Sequence, residues 1–369
     1  MKIDFIELRH IRMRLVAPFE TSFGVEHDRD CIILTLRGEG LTGWGECAAG
    51  MSPGYSYETT ATAWHVLTDF FVPAILEGEI TEIEDLRDRL GKFKGHPLAR
   101  AGLEMALWDL FAQTAEIPLA TLLGGDQKAV PVGVSVGIQK DAEVLIDVVG
   151  RFIDEGYDRV KIKIKPGRDV GEVQAVRGAY PDLKLQVDAN SAYMFEDTAS
   201  IEALDDFDLL LIEQPLGEDD LFDHSRLQAR LKTAICLDES ILSVRHARQA
   251  LEINACRVIN IKPGRVGGLS EAKAIHDLCL DSNIPVWCGG MLETGIGRAS
   301  NLAIASLPGF TLPGDISATD RYYKEDIAAP SFVLNPDSTI DVPTKPGLGV
   351  EVLSDRLDQV TLRREVFKV

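Results

Sequence analysis

The chain has 369 residues, of which 45% are hydrophobic, and 38 Lys and Arg stand against 58 Asp and Glu for a formal net charge of −20 at pH 7. That balance argues against nucleic acid as a partner, since no basic surplus is there to meet phosphates, and the apolar content is that of a folded protein rather than a disordered one. The length exceeds what one ordinary core fills and implies two domains, one of them large.

No apolar run approaches the ~18 residues needed to cross a bilayer, and Met1 to Arg9 is interrupted by charges with no signal-peptide core. The expectation is a cytoplasmic protein without a membrane partner. The six cysteines, Cys31, Cys47, Cys236, Cys256, Cys279 and Cys288, form no CxxC pair and read as reduced core thiols. The seven histidines are scattered, so a metal site in this chain has to be built from carboxylates.

Residues 1 to about 48 alternate apolar and polar. Ile3–Val16, Cys31–Arg37 and Leu41–Cys47 read as antiparallel strands. Between the first two, Pro18 to Gly24 carries Phe19 and Phe23 beside a glycine, which suits either plain turn packing or a flap over a ligand. Helical spacing follows over Tyr57 to about Leu76, Ile83–Leu90 and Ala99–Ala115. An α+β domain over 1–125 results, with Leu122 to Gly125 as its exit.

From Val130 short apolar runs alternate with helical patterns. Strands are expected near 131–137, 159–164, 184–188, 208–213, 233–237, 257–261, 284–288 and 311–315. Helices are expected over Asp141–Glu155, Val170–Ala179, Asp197–Leu204, Val244–Leu251 and Leu269–Leu280. A repeat of about 25 residues favours a parallel α/β barrel over a doubly wound sheet. The barrel domain is set at 126–320. No clear helix follows Asp315, and the tail, 321–369, is expected to return to the N-terminal domain.

One row of charges dominates this region. Lys163, Asp188, Glu213 and Asp238 succeed one another every 25 residues, and Lys262 comes 24 further on. Each ends an apolar run, which places them at the C-terminal ends of barrel strands 2 to 6, the face where barrel enzymes build their sites. Adjacent strands lie about 4.8 Å apart, so Asp188, Glu213 and Asp238 should converge. Three bare anions would raise one another's pKa, and an all-oxygen donor set calls for Mg²⁺ or Mn²⁺. Asn190 and Glu239 read as groups supporting those ligands. Lys163 and Lys262, four strands apart in a ring of eight, should face each other across the mouth. A base that removes the α-proton of a carboxylate must be a neutral lysine, with its pKa pulled down from about 10.4; Lys161, on the same strand face, would help to depress it. Lys165, beside Pro166 and Gly167, reads as a solvated loop residue. The alternative, a strand with a merely solvated lysine face, does not account for the regular row.

These residues resemble the enolase superfamily, in its muconate-lactonizing-like branch with a lysine on either side of the site. Sites of that superfamily pair a Lys or His base with Mg²⁺. The nearest resemblance is to the group of o-succinylbenzoate synthases and N-succinylamino acid (N-acylamino acid) racemases. It is carried by Glu20–Gly24, Val134–Ile138, Lys161–Gly167, Val187–Tyr193 and the run Trp287–Arg298. It implies a (β/α)7β TIM-like barrel capped by an α+β domain built from both chain ends. It implies Lys163 and Lys262 as catalytic acid/bases and Asp188, Glu213 and Asp238 as ligands of Mg²⁺. The substrate implied is a carboxylate bearing a succinyl group. The reaction implied is dehydration to o-succinylbenzoate in menaquinone biosynthesis, with or without racemase activity, or racemisation alone; dipeptide epimerase and muconate cycloisomerase are further alternatives. Arg265 matches an arginine associated with racemase activity. Lys161, Ser135, Phe19, Phe23 and Met291 are the other implied substrate contacts, and a homo-oligomer is implied as well.

Overall fold

A computed structural model describes residues 1–368. Two N-terminal strands are longer than expected, Ile3–Thr21 and Gly24–Gly38, and the third, Leu41–Cys47, has the expected bounds. The segment read as a loop around Phe19 and Phe23 is the tip of a hairpin, with Thr21 paired to Gly24 across Ser22 and Phe23. The C-terminal strand Thr361–Lys368 adds to the outer side of Ile3–Thr21, giving a four-stranded antiparallel sheet closed by the two chain ends.

The alternation of side chains along this sheet assigns its two faces to two cores. Ile32, Leu34 and Leu36 point into a cap core with Leu103, Ala106 and Leu110, whereas Cys31 and Ile33 join the barrel core. Both faces being covered explains why Asp30 to Leu36 is buried without a break. The helix Pro97–Thr114 is correspondingly buried on most of its surface. It lies against Leu41–Cys47 through glycines: a Cβ at Gly45 would sit 2.0 Å from the Gly102 carbonyl oxygen. The expected helix at Tyr57–Leu76 starts only at Thr60, where Thr59 caps it, and contains a π-helical turn over Leu67–Phe71.

Seven parallel strands form the barrel sheet in sequential order: Val134–Val136, Arg159–Lys163, Lys184–Asp188, Ile212–Glu213, Ile235–Leu237, Val258–Ile261 and Val286–Cys288. They are barrel strands 1 to 7 below. Several are shorter than the apolar runs that announce them. The expected first strand is split: Ala129–Pro131 pairs instead with Thr339–Asp341, and only Val134–Val136 joins the sheet.

The eighth strand does not form as a regular element. Phe310 and Gly314 make isolated parallel bridges to Val286 and Val132. Pro313 has no N–H to give to a ladder. The buried Arg159 guanidinium makes up for it, donating to the carbonyls of Pro313 (2.9 Å) and Gly314 (2.5 Å) and to Asp315 Oδ1 (2.7 Å). The ring is thereby joined between strands 7 and 1. Helices that were not foreseen include Leu221–Gln228, Gly295–Ala305 and Ser354–Val360. The stretch expected as a helix at Asp197–Leu204 is broken into two 3₁₀ turns and a short helix. All six cysteines are buried and unbonded to one another. Among the described residues no helix is long and apolar enough to cross a membrane.

Cap and barrel are locked by a buried carboxylate. Glu46, on the last cap strand, accepts from the Thr294 hydroxyl (2.7 Å) and from the backbone N–H groups of Thr294 (3.1 Å) and Gly297 (3.1 Å). These are otherwise unpaired donors at the start of helix Gly295–Ala305. Burial, with the nearby Glu293 adding, raises the Glu46 pKa from 4.5 to about 7. A carboxyl that holds its proton longer when folded loses stability as pH rises from its unfolded to its folded pKa. Glu46 therefore makes the protein less stable as pH climbs from 4.5 to about 7. The expected outcome is that Glu46→Gln flattens this part of the thermal-unfolding midpoint against pH, measured by circular dichroism.

Candidate active site

The site residues sit where the strand ends place them. Asp188, Glu213 and Asp238 are fully buried at the ends of barrel strands 3 and 4 and just past the end of strand 5. A cavity above them, between barrel and cap, is lined by Lys161, Lys163, Asn190 and Lys262 from the barrel. Phe19, Phe23, Arg29 and Tyr55 line it from the cap.

Each carboxylate is met by cations. Lys163 Nζ donates to Asp188 Oδ2 (2.6 Å) and to Asn190 Oδ1 (2.6 Å). Lys161 Nζ lies 2.7 Å from Glu213 Oε2, 3.2 Å from Asp188 Oδ2 and 2.5 Å from Asp315 Oδ2. Lys262 Nζ donates to Asp238 Oδ2 (2.6 Å), and Arg265 Nη1 to Asp238 Oδ1. Glu213 Oε1 accepts from Asn260 Nδ2 (2.7 Å). Among the described residues no three carboxylate, thiol or imidazole groups are gathered closely enough to form a ready metal centre. The Lys161 ammonium bridges Asp188 and Glu213, and Asp238 is paired separately with Lys262 and Arg265.

The electrostatics still carry the mark of crowding. Burial pushes the Glu213 pKa well above the ordinary carboxylate range, and the Asp188 and Asp238 charges on either side add to it. Burial works the same way on Asp188 and Asp238, but Lys163 and Lys161 at the first, and Lys262 and Arg265 at the second, outweigh it and hold both below the ordinary value. Glu239 is pushed up to about 8 by burial, with Asp238 and Asp188 contributing. Its Oε1 accepts from Asn190 Nδ2 at 2.8 Å, while its buried Oε2 has no partner. Three all-oxygen side chains on successive strands and an unpartnered carboxylate oxygen beside them are chemistry that suits a hard divalent cation.

The basic groups are tied to carboxylates. Lys161 meets three of them. Burial works to depress its own pKa, and Asp315, Glu213 and Asp188 outweigh burial and hold it well above the ordinary value. At Lys262 burial works to lower the pKa, but Asp238 foremost, then Tyr55 and Glu213, keep its ammonium well above the usual range. Lys165 is not merely solvated. It pairs with Glu20 in the cap hairpin at 3.1 Å, next to the Ser22 hydroxyl donating to the Asn190 carbonyl at 3.2 Å.

Of the expected substrate contacts, Phe19, Phe23, Ser135, Lys161 and Met291 line the cavity. The Ser135 hydroxyl is buried there without a hydrogen-bond partner. Arg265 does not line it. Its guanidinium lies behind Asp238, donating also to the carbonyls of Ile241 (2.8 Å) and Asn260 (2.5 Å). The sequence reading missed Tyr55, Arg29, Asn260 and Asp315. The last ends the eighth apolar run, so the rule that found the other carboxylates reaches it too. Gly289 on the neighbouring strand keeps this corner open: a Cβ there would lie 2.3 Å from Asn260 Oδ1 and 2.6 Å from Lys262 Cε.

Two family models match the chain: residues 5–124 as the mandelate racemase / muconate lactonizing enzyme N-terminal domain, and residues 145–356 as the enolase C-terminal domain-like fold. The chain belongs to the enolase superfamily. Within that superfamily it is 50% identical over 362 residues to an N-succinylamino acid racemase of Amycolatopsis sp, covering 98% of each chain. It is 47% identical over 368 residues to an o-succinylbenzoate synthase of Geobacillus kaustophilus, covering 100% of this chain and 98% of the relative. Among solved structures, a dipeptide epimerase of Enterococcus faecalis V583, complexed with Mg and the dipeptide L-Leu-L-Tyr, is 28% identical and superposes with a TM-score of 0.88 over 95% of this chain and 100% of its own.

Asp315 holds both Arg159 and Lys161 in a fully buried network. Removing one member of such a network leaves uncompensated charge behind. Asp315→Asn is expected to destabilise the protein by about 3 kcal/mol or more, read from urea denaturation.

Proposed function

We propose that this protein removes the α-proton of a small carboxylate substrate carrying a succinyl group, with a divalent metal ion held by Asp188, Glu213 and Asp238. The observation that carries the reading is the pair Lys163 and Lys262, on barrel strand 2 and just past strand 6, lining one cavity above three buried carboxylates. Mg²⁺ or Mn²⁺ suits that donor set, and the ion would offset the charge that builds on the substrate carboxylate as the proton leaves. The dipeptide epimerase complexed with Mg supports the same assignment.

The chain's own groups do the proton chemistry. Lys163 takes the α-proton from one face of the substrate. Lys262, held as an ammonium by Asp238, is set to deliver a proton to the other face; running the sequence backwards exchanges the two roles, and the net result is racemisation. For dehydration, Lys163 takes the proton and returns it to the hydroxyl leaving from the same face, so that water departs. Lys262 then serves as a cation near the forming ring. The relatives named for synthase and racemase support both outcomes, and we assign o-succinylbenzoate synthesis as the primary reaction, with N-succinylamino acid racemisation in the same site. A racemase as the sole role is the second reading, favoured by the Arg265–Asp238 pair that backs Lys262.

Arg29 fits the succinyl tail. It lines the cavity wall, its Nε has no partner, and its nearest carboxylate, Glu26, is 3.8 Å away. Arg29→Leu is expected to raise KM for an N-succinylamino acid about tenfold, the scale of one charge-assisted hydrogen bond, and to leave an N-acetylamino acid unaffected.

The direct experiment follows α-proton exchange into D₂O by NMR, using each enantiomer of an N-succinylamino acid. A chelator should abolish exchange, and added Mg²⁺ or Mn²⁺ should restore it. Lys163→Ala and Lys262→Ala should each lower exchange of one enantiomer by about 10²–10⁴-fold, the usual contribution of a positioned acid/base, and the two variants should affect opposite enantiomers. Wild-type exchange of both enantiomers by Lys163→Ala would overturn the proposal.

A further inference from the structure

We propose that Tyr55 is the positioning residue of Lys262, so that the cap controls proton transfer on one face of the substrate and leaves the other face alone. The inference rests on the two-lysine reading above and adds a difference between the lysines.

An ammonium has three N–H donors and no acceptor. Each lysine has two of its three donors pinned by oxygens, which fixes the direction of the third, or of the lone pair once a proton has gone. For Lys163 both pins belong to the barrel: Asp188 Oδ2 at 2.6 Å and Asn190 Oδ1 at 2.6 Å. For Lys262 one pin is barrel and one is cap: Asp238 Oδ2 at 2.6 Å and the Tyr55 hydroxyl at 3.1 Å. That hydroxyl in turn donates to Asp238 Oδ1 at 2.9 Å. Tyrosine, lysine and aspartate therefore close a ring in which each holds the others. The Tyr55 ring adds a second restraint, with its centroid 4.4 Å from Lys262 Nζ.

Tyr55 lies in the cap segment after the strand Leu41–Cys47, in the run Pro53-Gly54-Tyr55, and it lines the same cavity as Lys262. The Lys262 side of the site is thus complete only when this segment is seated. The Lys163 side receives its geometry from barrel strands 2 and 3 and their following loop.

The test is Tyr55→Phe, which keeps the ring and removes the hydroxyl, assayed by enantiomer-resolved exchange into D₂O in the Mg²⁺-loaded protein. The Lys262 enantiomer is defined as the one whose exchange Lys262→Ala abolishes. For it, kcat should fall about tenfold with KM changed less than about twofold, the scale of one lost hydrogen bond to a charged group. Exchange of the other enantiomer should stay within about twofold. In a Lys262→Ala background, Tyr55→Phe should have no further effect. Mg²⁺ affinity by calorimetry and the thermal midpoint should match wild type. Tyr55→Leu, lacking the ring as well, should fall at least as far on the same enantiomer. Equal losses on both enantiomers, no loss on either, a further loss in the Lys262→Ala background, or weakened Mg²⁺ binding would overturn the assignment. If the single lysine variants do not separate the enantiomers at all, it is the two-lysine reading that fails instead.

Discussion

Three buried carboxylates side by side are the constraint on which this molecule is organised. Asp188, Glu213 and Asp238 have no exposed surface, and their strands are neighbours in one sheet. Such a group repels itself unless cations offset it. Lys161, Lys163, Lys262 and Arg265 do so here, each within hydrogen-bonding reach of a carboxylate oxygen. The balance is uneven: Glu213, flanked by both aspartates, is the one driven above its ordinary range. In the proposed function a divalent cation would take over part of this neutralisation. In the proposed reaction Lys163 and Lys262 would carry the protons.

The cap completes this arrangement rather than merely covering it. Glu46 closes the start of helix Gly295–Ala305, and Glu20 and Ser22 in the hairpin tip reach Lys165 and the Asn190 carbonyl. Tyr55 reaches furthest, to Asp238 and Lys262 together. Phe19, Phe23 and Arg29 line the cavity from the cap side. In the proposed function barrel residues would set the chemistry, and cap residues what enters and how one base is aimed.

Much of this was legible before any coordinates. The βα unit repeats at a nearly constant length, so residues that end successive strands recur at a constant interval. That is why Lys163, Asp188, Glu213, Asp238 and Lys262 stand out in a plain reading of the chain. The antiparallel cap strands were legible from their alternation, and the return of the tail from the lack of a helix after Asp315. What was not legible depends on contacts between segments far apart in sequence. Tyr55 and Arg29 lie in a loop and a strand whose local pattern says nothing about the barrel. Alternation put Lys161 on the same face as Lys163 but could not reveal that Asp315, Glu213 and Asp188 surround it. Arg265 was read as a substrate contact because it matches an arginine of the resembled group; its guanidinium instead meets Asp238. The eighth strand was placed by the repeat of βα units, yet it makes only isolated bridges to its neighbours, with Arg159 bonding to it as well.

The central claim is that these three carboxylates, now neutralised by lysines, form one cation site. The most direct measurement is an anomalous difference map from crystals grown with Mn²⁺. The account predicts a single strong peak within bonding distance of Asp188, Glu213 and Asp238. A peak bound elsewhere, or none at these carboxylates with Mn²⁺ in excess, would contradict it.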